Sequence, residues 1–160
     1  MRGYFGVGVE GISKSGNLGN LMRSAHAFGA SFFFTINDAI DMREVEGTDT
    51  SGGSAHMPFY RYKKVKDLVL PRDCTLVGVE LIDSASALPS FRHPLRGAYV
   101  LGPEKGELSK ELVKRCDHLV KIPAKFCVNV GVAGAITIYD RMISLGQFAE
   151  RPVRVGGIRP

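Results

Sequence analysis

Three short segments carry the side chains with the clearest capacity for chemistry: N-x-G-x-x-x-R with Asn17 and Arg23, a glycine-rich segment with Glu104, and a third with Asn129. Amide, carboxylate and guanidinium groups supply hydrogen-bond donors, hydrogen-bond acceptors and charge, so together they can bind and orient a polar substrate. Each residue alone also has a structural interpretation, because asparagines are good helix caps and charged side chains suit a protein surface. Their occurrence together, in this order and spacing, favours one functional site.

The other candidates for chemistry are weaker. The three cysteines have no C-x-x-C spacing, and the four scattered histidines form no metal motif, so we expect no metal site. The stretch Gly6–Gly11 spells G-x-G-x-x-G, but only five residues precede it, whereas a dinucleotide-binding loop follows a complete strand. Val7 and Val9 alternate with small residues, which indicates that this stretch is itself a strand.

The composition and charge indicate one globular domain with a basic surface. Hydrophobic residues make up 44% of the 160 residues, which is enough for a buried core without disulfides. We expect a domain over residues 1–150 and a basic tail over 151–160. The net charge of +5 and the basic run 61–72 suit a polyanionic partner, although the run 37–50 is acidic. No apolar run approaches a membrane span of about 18 residues, so we expect a cytosolic protein.

Apolar and amphipathic runs alternate along the chain. Strands are predicted at 4–9, 31–36, 74–81, 98–102 and 118–122, and helices at 17–30, 63–70, 109–115 and 128–145. Residues 37–58 are rich in glycine and serine and have no periodicity, which indicates loops and short turns. The alternation predicts an α/β fold with a mainly parallel sheet and helices on both faces. In such sheets ligands bind at the carboxyl ends of the strands, where the three polar segments lie.

The same patterns predict the ends and the buried faces of the helices. Asn17 is the predicted N-cap of the first helix, Gly29 its C-terminal stop, and Ser109 the cap of a later helix. The first helix should bury Leu18, Leu21, Met22, Ala25 and Phe28. The last helix should bury Val132, Ala135, Ile136, Tyr139, Met142 and Ile143.

The segments 17–23, 101–109 and 122–133 resemble the three motifs of the SpoU (TrmH-type) branch of the SPOUT RNA methyltransferases. The resemblance covers nearly the whole chain. It implies an α/β sheet whose C-terminal part forms a trefoil knot, and a homodimer. It also implies S-adenosyl-L-methionine as the methyl donor, no metal, and transfer to a ribose 2′-hydroxyl of tRNA or rRNA. Neither DNA nor a membrane is expected as a partner.

The resemblance assigns roles to individual residues. Arg23 corresponds to the catalytic arginine, although arginine stays protonated in proteins, which suits this side chain to clamping phosphate and oxyanion rather than to acting as a base. Asn17 and Asn129 would hold either Arg23 or the ribose by hydrogen bonds. Glu104 would orient the site or the donor. The donor would lie against Val79, Glu80, Leu101, Gly102, Ile122, Cys127, Val128 and Ala133.

Three positions depart from the pattern of this family. Glu107 stands where the second motif usually ends in glycine, and Cys127 and Gly131 replace the two serines of the third motif. A non-catalytic RNA-binding relative is therefore a second hypothesis, and an enzyme that methylates a base or a small molecule is a third. The intact N-x-G-x-x-x-R segment favours ribose methylation over the third hypothesis.

Overall fold

A parallel β-sheet is the frame of the molecule. The computed structural model describes residues 3–44 and 56–157. The strands are β1 (Tyr4–Glu10), β2 (Phe32–Ile36), β3 (Phe59–Tyr62), β4 (Thr75–Val79), β5 (Ser86–Ala87), β6 (Arg96–Leu101) and β7 (His118–Lys121). The seven strands pair in parallel in the order β3-β2-β1-β6-β4-β7-β5. This sheet confirms the predicted α/β fold class.

Helices cover both faces of the sheet, as predicted. Their bounds are α1 (Ser15–Ala27), α2 (Lys110–Arg115) and α3 (Val130–Leu145), with short 3₁₀ helices at Val65–Asp67 and Leu88–Ser90. On one face, α1 and α3 pack around the buried side chains of Val7, Val9 and Phe33. On the other face, α2 and the first 3₁₀ helix pack around Phe34 and Val100.

β1 contains most of the G-x-G-x-x-G stretch, which confirms its interpretation as a strand. Gly6 pairs with Phe32 of β2, and Gly8 pairs with Phe34. A methyl group on either glycine would come within 2.2 to 2.3 Å of the ring of its partner. Glycine is therefore required at both positions because the two rings occupy the space of a side chain.

The connection from β4 to β5 crosses over β7. β7 lies between β4 and β5, although β5 follows β4 in the sequence. The backbone N–H of Glu80, just after β4, donates to the carbonyl oxygen of Val120 at 2.9 Å, and Ser86 of β5 pairs with the same Val120. Residues 80–85 therefore pass across the carboxyl end of β7, from which the chain continues toward α3.

The buried face of α3 differs from the predicted one. It is made of Val130, Gly131, Gly134, Thr137, Ile138 and Arg141. Val132, Ile136 and Tyr139 of the predicted face are 49%, 38% and 50% exposed. The prediction was wrong because α3 approaches α1 through its smallest residues: a methyl group on Gly134 would lie 2.1 Å from Leu21 of α1. Hydrophobic periodicity gives no weight to glycines that permit a close helix contact.

A buried polar cluster anchors α3 to the sheet. The Nδ1 atom of His93 lies 2.7 Å from the Tyr99 hydroxyl, and its Nε2 atom lies 2.8 Å from the Asp140 carboxylate. Burial lowers the pKa of His93 and outweighs the opposing effect of Asp140, so the ring is neutral at pH 7. In the neutral ring, Nε2–H donates to Asp140 and Nδ1 accepts from Tyr99. Arg141 adds a bond from Nη2 to the Leu95 carbonyl oxygen at 2.9 Å.

Three local features differ from the sequence pattern or extend it. The pattern does not predict β3, an edge strand in which only Phe59 and Tyr62 are half-buried. The predicted helix 63–70 contains only the 3₁₀ turn from Val65 to Asp67. The loop predicted over 37–58 falls partly on 45–55, which lie outside the described residues.

No helix in the described ranges is long and apolar enough to span a membrane.

Gly134→Ala should destabilise the protein by about 1 to 3 kcal/mol, because the added methyl group overpacks the contact between α1 and α3. Gly16→Ala in the first turn of α1 is the matched control, since nothing lies within 4 Å of its added methyl group. A helical Gly→Ala change without a clash should stabilise the protein by up to about 1 kcal/mol. Urea unfolding measures both changes, and an unchanged free energy of unfolding for G134A would contradict the tight packing.

Candidate active site

A cavity of about 380 Å³ opens at the carboxyl ends of β1, β4, β6 and β7. Its volume lies in the range of small-molecule sites, about 300 to 1,000 Å³. Eleven of the twelve site residues that the sequence suggested line it: Asn17, Val79, Glu80, Leu101, Gly102, Glu104, Ile122, Cys127, Val128, Asn129 and Ala133. The three polar segments therefore converge on one place.

Hydrogen bonds join the three segments at the wall of the cavity. The Nδ2 atom of Asn17 donates to Oε1 of Glu104 at 3.4 Å, and Nδ2 of Asn129 donates to Oδ1 of Asn17 at 3.0 Å. The Oδ1 atom of Asn129 accepts from the backbone N–H of Gly131 at 2.8 Å, at the start of α3. A carboxylate only accepts and a backbone N–H only donates, so the two ends of this chain of bonds fix the orientation of both amides.

Glu104 caps the N-terminus of α1 from a distant loop. Its carboxylate accepts from the backbone N–H of Lys14 at 3.0 Å and of Ser13 at 3.4 Å. Lys14 is the N-cap residue and has no capping side-chain hydrogen bond of its own. The prediction of Asn17 as the N-cap was wrong, because Asn17 lies inside the first turn and its side chain bonds to Glu104. The unpaired N–H groups and the helix dipole both favour a negative charge at this point.

Glu104 is ionised at neutral pH. Partial burial acts to raise its pKa, but hydrogen bonds from the backbone of Glu104 itself, of Lys14 and of Ser13, and from the Asn17 amide, hold the pKa below its usual value. The wall of the cavity therefore carries a negative charge, which favours a ligand with a positive charge nearby.

Two further carboxylates hold the backbone of the loop 102–109. Oε2 of Glu80 accepts from the N–H of Leu108 at 2.8 Å, and Oε2 of Glu10 accepts from the N–H of Ser109 at 2.8 Å. Ser109 caps α2 through a bond from the N–H of Leu112 at 3.2 Å, which confirms its predicted role. The sequence interpretation missed Glu10, although a charged residue at the end of an apolar strand is the signal that could have found it.

Arg23 is the one suggested residue that does not line the cavity. It is exposed on α1, six residues after Asn17. Lys14 and Phe126 line the cavity instead, and the sequence interpretation missed both. Lys14 follows β1 directly before α1, and Phe126 lies in the loop after β7, where its side chain is 75% exposed. Their position at strand ends was the available signal.

The three cysteines have different surroundings. Cys127 is exposed and lines the cavity. Burial, with a smaller effect of Asp117, raises the pKa of Cys74 to about 11 and that of Cys116 to about 12. The last two are therefore uncharged thiols at neutral pH and pack as small apolar groups.

The cavity can bind a small molecule that has an apolar part and a positive charge. Its apolar wall includes Val79, Leu101, Ile122, Val128 and Ala133. Oriented amides and an ionised carboxylate lie beside that wall and can bind polar groups of a ligand or of a second substrate. Within residues 3–44 and 56–157, no three His, Cys, Asp or Glu side chains group to hold a metal ion.

One family model and several curated relatives match most of this chain. The model of the SpoU rRNA Methylase family matches residues 5–139. The mouse tRNA (guanosine(18)-2'-O)-methyltransferase TARBP1 is 27% identical over 143 residues, covering 81% of this chain and 9% of that protein. The 23S rRNA (guanosine-2'-O-)-methyltransferase RlmB of Coxiella burnetii is 27% identical over 138 residues, covering 82% of this chain and 55% of that protein. The chain thus spans about half the length of RlmB.

Solved structures share the fold. An rRNA methyltransferase from Sinorhizobium meliloti superposes with a TM-score of 0.79 at 21% identity, covering 90% of this chain and 57% of that chain. The SpoU methyltransferase AviRb from Streptomyces viridochromogenes, in complex with AdoMet, superposes with a TM-score of 0.76 at 24% identity, covering 88% of this chain and 57% of that chain. A chain from a study of the 2-OH methylation of C/U34 on tRNA superposes with a TM-score of 0.75 at 20% identity, covering 91% of this chain and 98% of that chain.

Glu104→Gln should destabilise the protein by about 1 kcal/mol at pH 7, because α1 loses a charged cap. The folded state lowers the pKa of Glu104, so its stabilisation is fully present above the ordinary pKa of a glutamate and is lost as the pH falls through the lower folded-state pKa. The difference in the free energy of unfolding between wild type and E104Q should therefore shrink between pH 7 and about pH 4.

Chemical denaturation at the two pH values checks this result. Glu107→Gln is the matched control, because it removes an exposed carboxylate three residues further along the same loop. Equal losses of unfolding free energy in the two variants at pH 7 would show that Glu104 has no special capping role.

Proposed function

Because the chain belongs to the SpoU rRNA methylase family, we propose that it transfers a methyl group from S-adenosyl-L-methionine to a ribose 2′-hydroxyl of tRNA or rRNA. The observation that carries the proposal is the convergence of three motifs on one cavity, where Asn17 bonds to both Glu104 and Asn129. The RNA ribose methyltransferases among the relatives support it.

The residues of the cavity suit this donor. Its apolar wall fits the adenine ring, and the ionised Glu104 suits the positive sulfonium. When bound, S-adenosyl-L-methionine supplies a methyl group that the sulfonium has already activated, so the chain has only to bind and orient it. The AviRb complex with AdoMet, which has the same fold, supports this choice of donor.

The polar residues are proposed to act on the acceptor hydroxyl. Asn17 and Asn129 are each held in one orientation, so they need no rearrangement when a ribose arrives. The Arg23 guanidinium can bind a phosphate beside the ribose or the alkoxide that develops during transfer. The proton then leaves to phosphate or water, because the guanidinium is too weak a base to accept it.

A homodimer is part of the proposal. Val132, Ile136 and Tyr139 form an exposed apolar stripe along α3, of the kind that subunit interfaces bury. Arg23 lies outside the cavity of its own chain. We therefore propose that Arg23 acts on RNA bound at the cavity of the second copy.

We further propose a catalytic domain over 1–150, a basic tail over 151–160 and a C-terminal trefoil knot. The family model ends at residue 139, and residues 151–157 are exposed, which supports these bounds. The passage of 80–85 across the end of β7 supports the knot. The proposed RNA substrates favour the cytosol.

Arg23→Ala should lower methyl transfer at least about 100-fold, because the acceptor loses its phosphate and oxyanion clamp. Its free energy of unfolding should change by no more than about 0.5 kcal/mol, since Arg23 is exposed. The assay uses labelled S-adenosyl-L-methionine and total RNA from a strain that lacks the gene, followed by digestion to nucleosides.

Arg43→Ala is the matched control, because it removes a guanidinium that is 90% exposed and pairs with Asp41. A labelled 2′-O-methylnucleoside that is absent only with R23A supports the proposal. Label on a base would favour the different-acceptor hypothesis. RNA binding with neither donor binding nor methyl transfer would favour the non-catalytic relative.

Mixing two inactive variants, R23A and N129A, should restore about a quarter of wild-type transfer, because half of the dimers are mixed and each contains one intact composite site. Light scattering gives the molar mass of the wild-type protein in solution and so tests the dimer directly. No recovery in a mixture shown to exchange subunits would place Arg23 at the cavity of its own chain.

A further inference from the structure

We infer that Lys63 and Lys64 bind phosphates of the substrate RNA, on a path that follows the carboxyl end of the sheet to the cavity. The inference rests on the proposed function, and it identifies a surface that the three motifs do not include. In this inference, the basic run after β3 binds the RNA strand at a point that lies away from the methylated ribose.

The topology places both lysines at the same end of the sheet as the cavity. β3 pairs in parallel with β2 and ends at Tyr62, whose carbonyl oxygen accepts from the N–H of Asn37 at 2.8 Å. Lys63 and Lys64 therefore emerge at the carboxyl end. The order β3-β2-β1-β6 puts three strand spacings, about 14 Å, between β3 and β6, whose last residue lines the cavity. Several phosphates of one RNA strand fit within that length.

Asp38 and Asp41, which follow β2, do not cancel the positive charge of the two lysines. Both lysines are exposed, and none of the ion pairs found within the described ranges involves either of them. The Asp38 side chain is only 3% exposed and pairs with Arg61. Asp41 pairs with Arg43 at 2.8 Å. These two acids are thus neutralised by arginines, which leaves the lysine charges available to a phosphate backbone.

The backbone that carries the lysines is fixed. Val65 and Leu68, just after them, are buried against the sheet. The guanidinium of Arg115 donates to the carbonyl oxygens of both residues. A basic pair on an anchored segment loses less entropy on binding than one on a free tail.

Lys14 continues the positive charge toward the cavity. It follows β1, which lies two strands from β3, and it lines the cavity. The path therefore carries positive charge after β3 and again after β1, where Lys14 borders the cavity. Charge repeated at this spacing suits a strand with one phosphate per nucleotide.

The test compares K63A/K64A with wild type. Methyl transfer is measured against the concentration of total RNA from the deletion strain at several salt concentrations. We expect KM for RNA to rise about tenfold and the slope of log KM against log salt to fall by about 1.4, the value for two phosphate contacts on single-stranded RNA. The kcat and the Kd for S-adenosyl-L-methionine should not change.

R72A/K114A is the matched control, because it removes two exposed positive charges outside the proposed path, before β4 and at the end of α2. Equal unfolding midpoints for the two double variants establish that both are folded. An unchanged KM and salt slope in K63A/K64A, or an equal change in the control, would overturn the path.

A second measurement separates this inference from the proposed function. Fluorescence anisotropy with labelled total tRNA reports binding without any transfer. If the wild-type chain transfers no methyl group but K63A/K64A loses tRNA affinity and salt dependence selectively, the lysine path stands and the enzyme assignment fails. If the wild-type chain binds neither tRNA nor labelled rRNA in this assay, the path is refuted.

Discussion

The side-chain amide of Asn17 is the contact on which the site depends. It donates to Glu104 in the loop after β6 and accepts from Asn129 at the start of α3, and these partners lie 87 and 112 residues away in the sequence. An amide can satisfy both partners in only one orientation, so the two loops that form the cavity are positioned relative to the same residue. Because Glu104 also closes the N-terminus of α1, the same contact serves helix stability and site geometry. The cavity is thus a property of the complete fold rather than of any one segment.

Close packing of backbones makes this contact possible. Gly134 lets α3 approach Leu21 of α1, which brings the first turn of α3 beside the first turn of α1. In the sheet, Gly6 and Gly8 leave room for the phenylalanine rings of β2, and so allow β1 to lie at the centre with both faces covered. Large side chains at these places would separate the elements by more than a hydrogen bond can span. Glycine therefore contributes to the site without touching a ligand.

The sequence predicts what local patterns determine. The apolar runs mark the central strands, Ser109 caps the expected helix, and the ends of the strands identify the cavity. It does not predict β3, a short edge strand in which only the two end residues are half-buried and the two middle residues are exposed. The sequence also does not predict the buried face of α3 or the true hydrogen-bond partner of Asn17. Both depend on which distant elements approach each other, and neither hydrophobic periodicity nor capping preference contains that information.

The different surroundings of the three cysteines have a practical consequence. Cys74 and Cys116 are partly buried, and their raised pKa values keep them as unreactive thiols at neutral pH. Cys127 is exposed in the wall of the cavity. A mild alkylating reagent should therefore modify this thiol first, without any engineered cysteine. A fluorophore attached there would stand beside the ligand, and the protein thus contains its own attachment point for an optical sensor of occupancy.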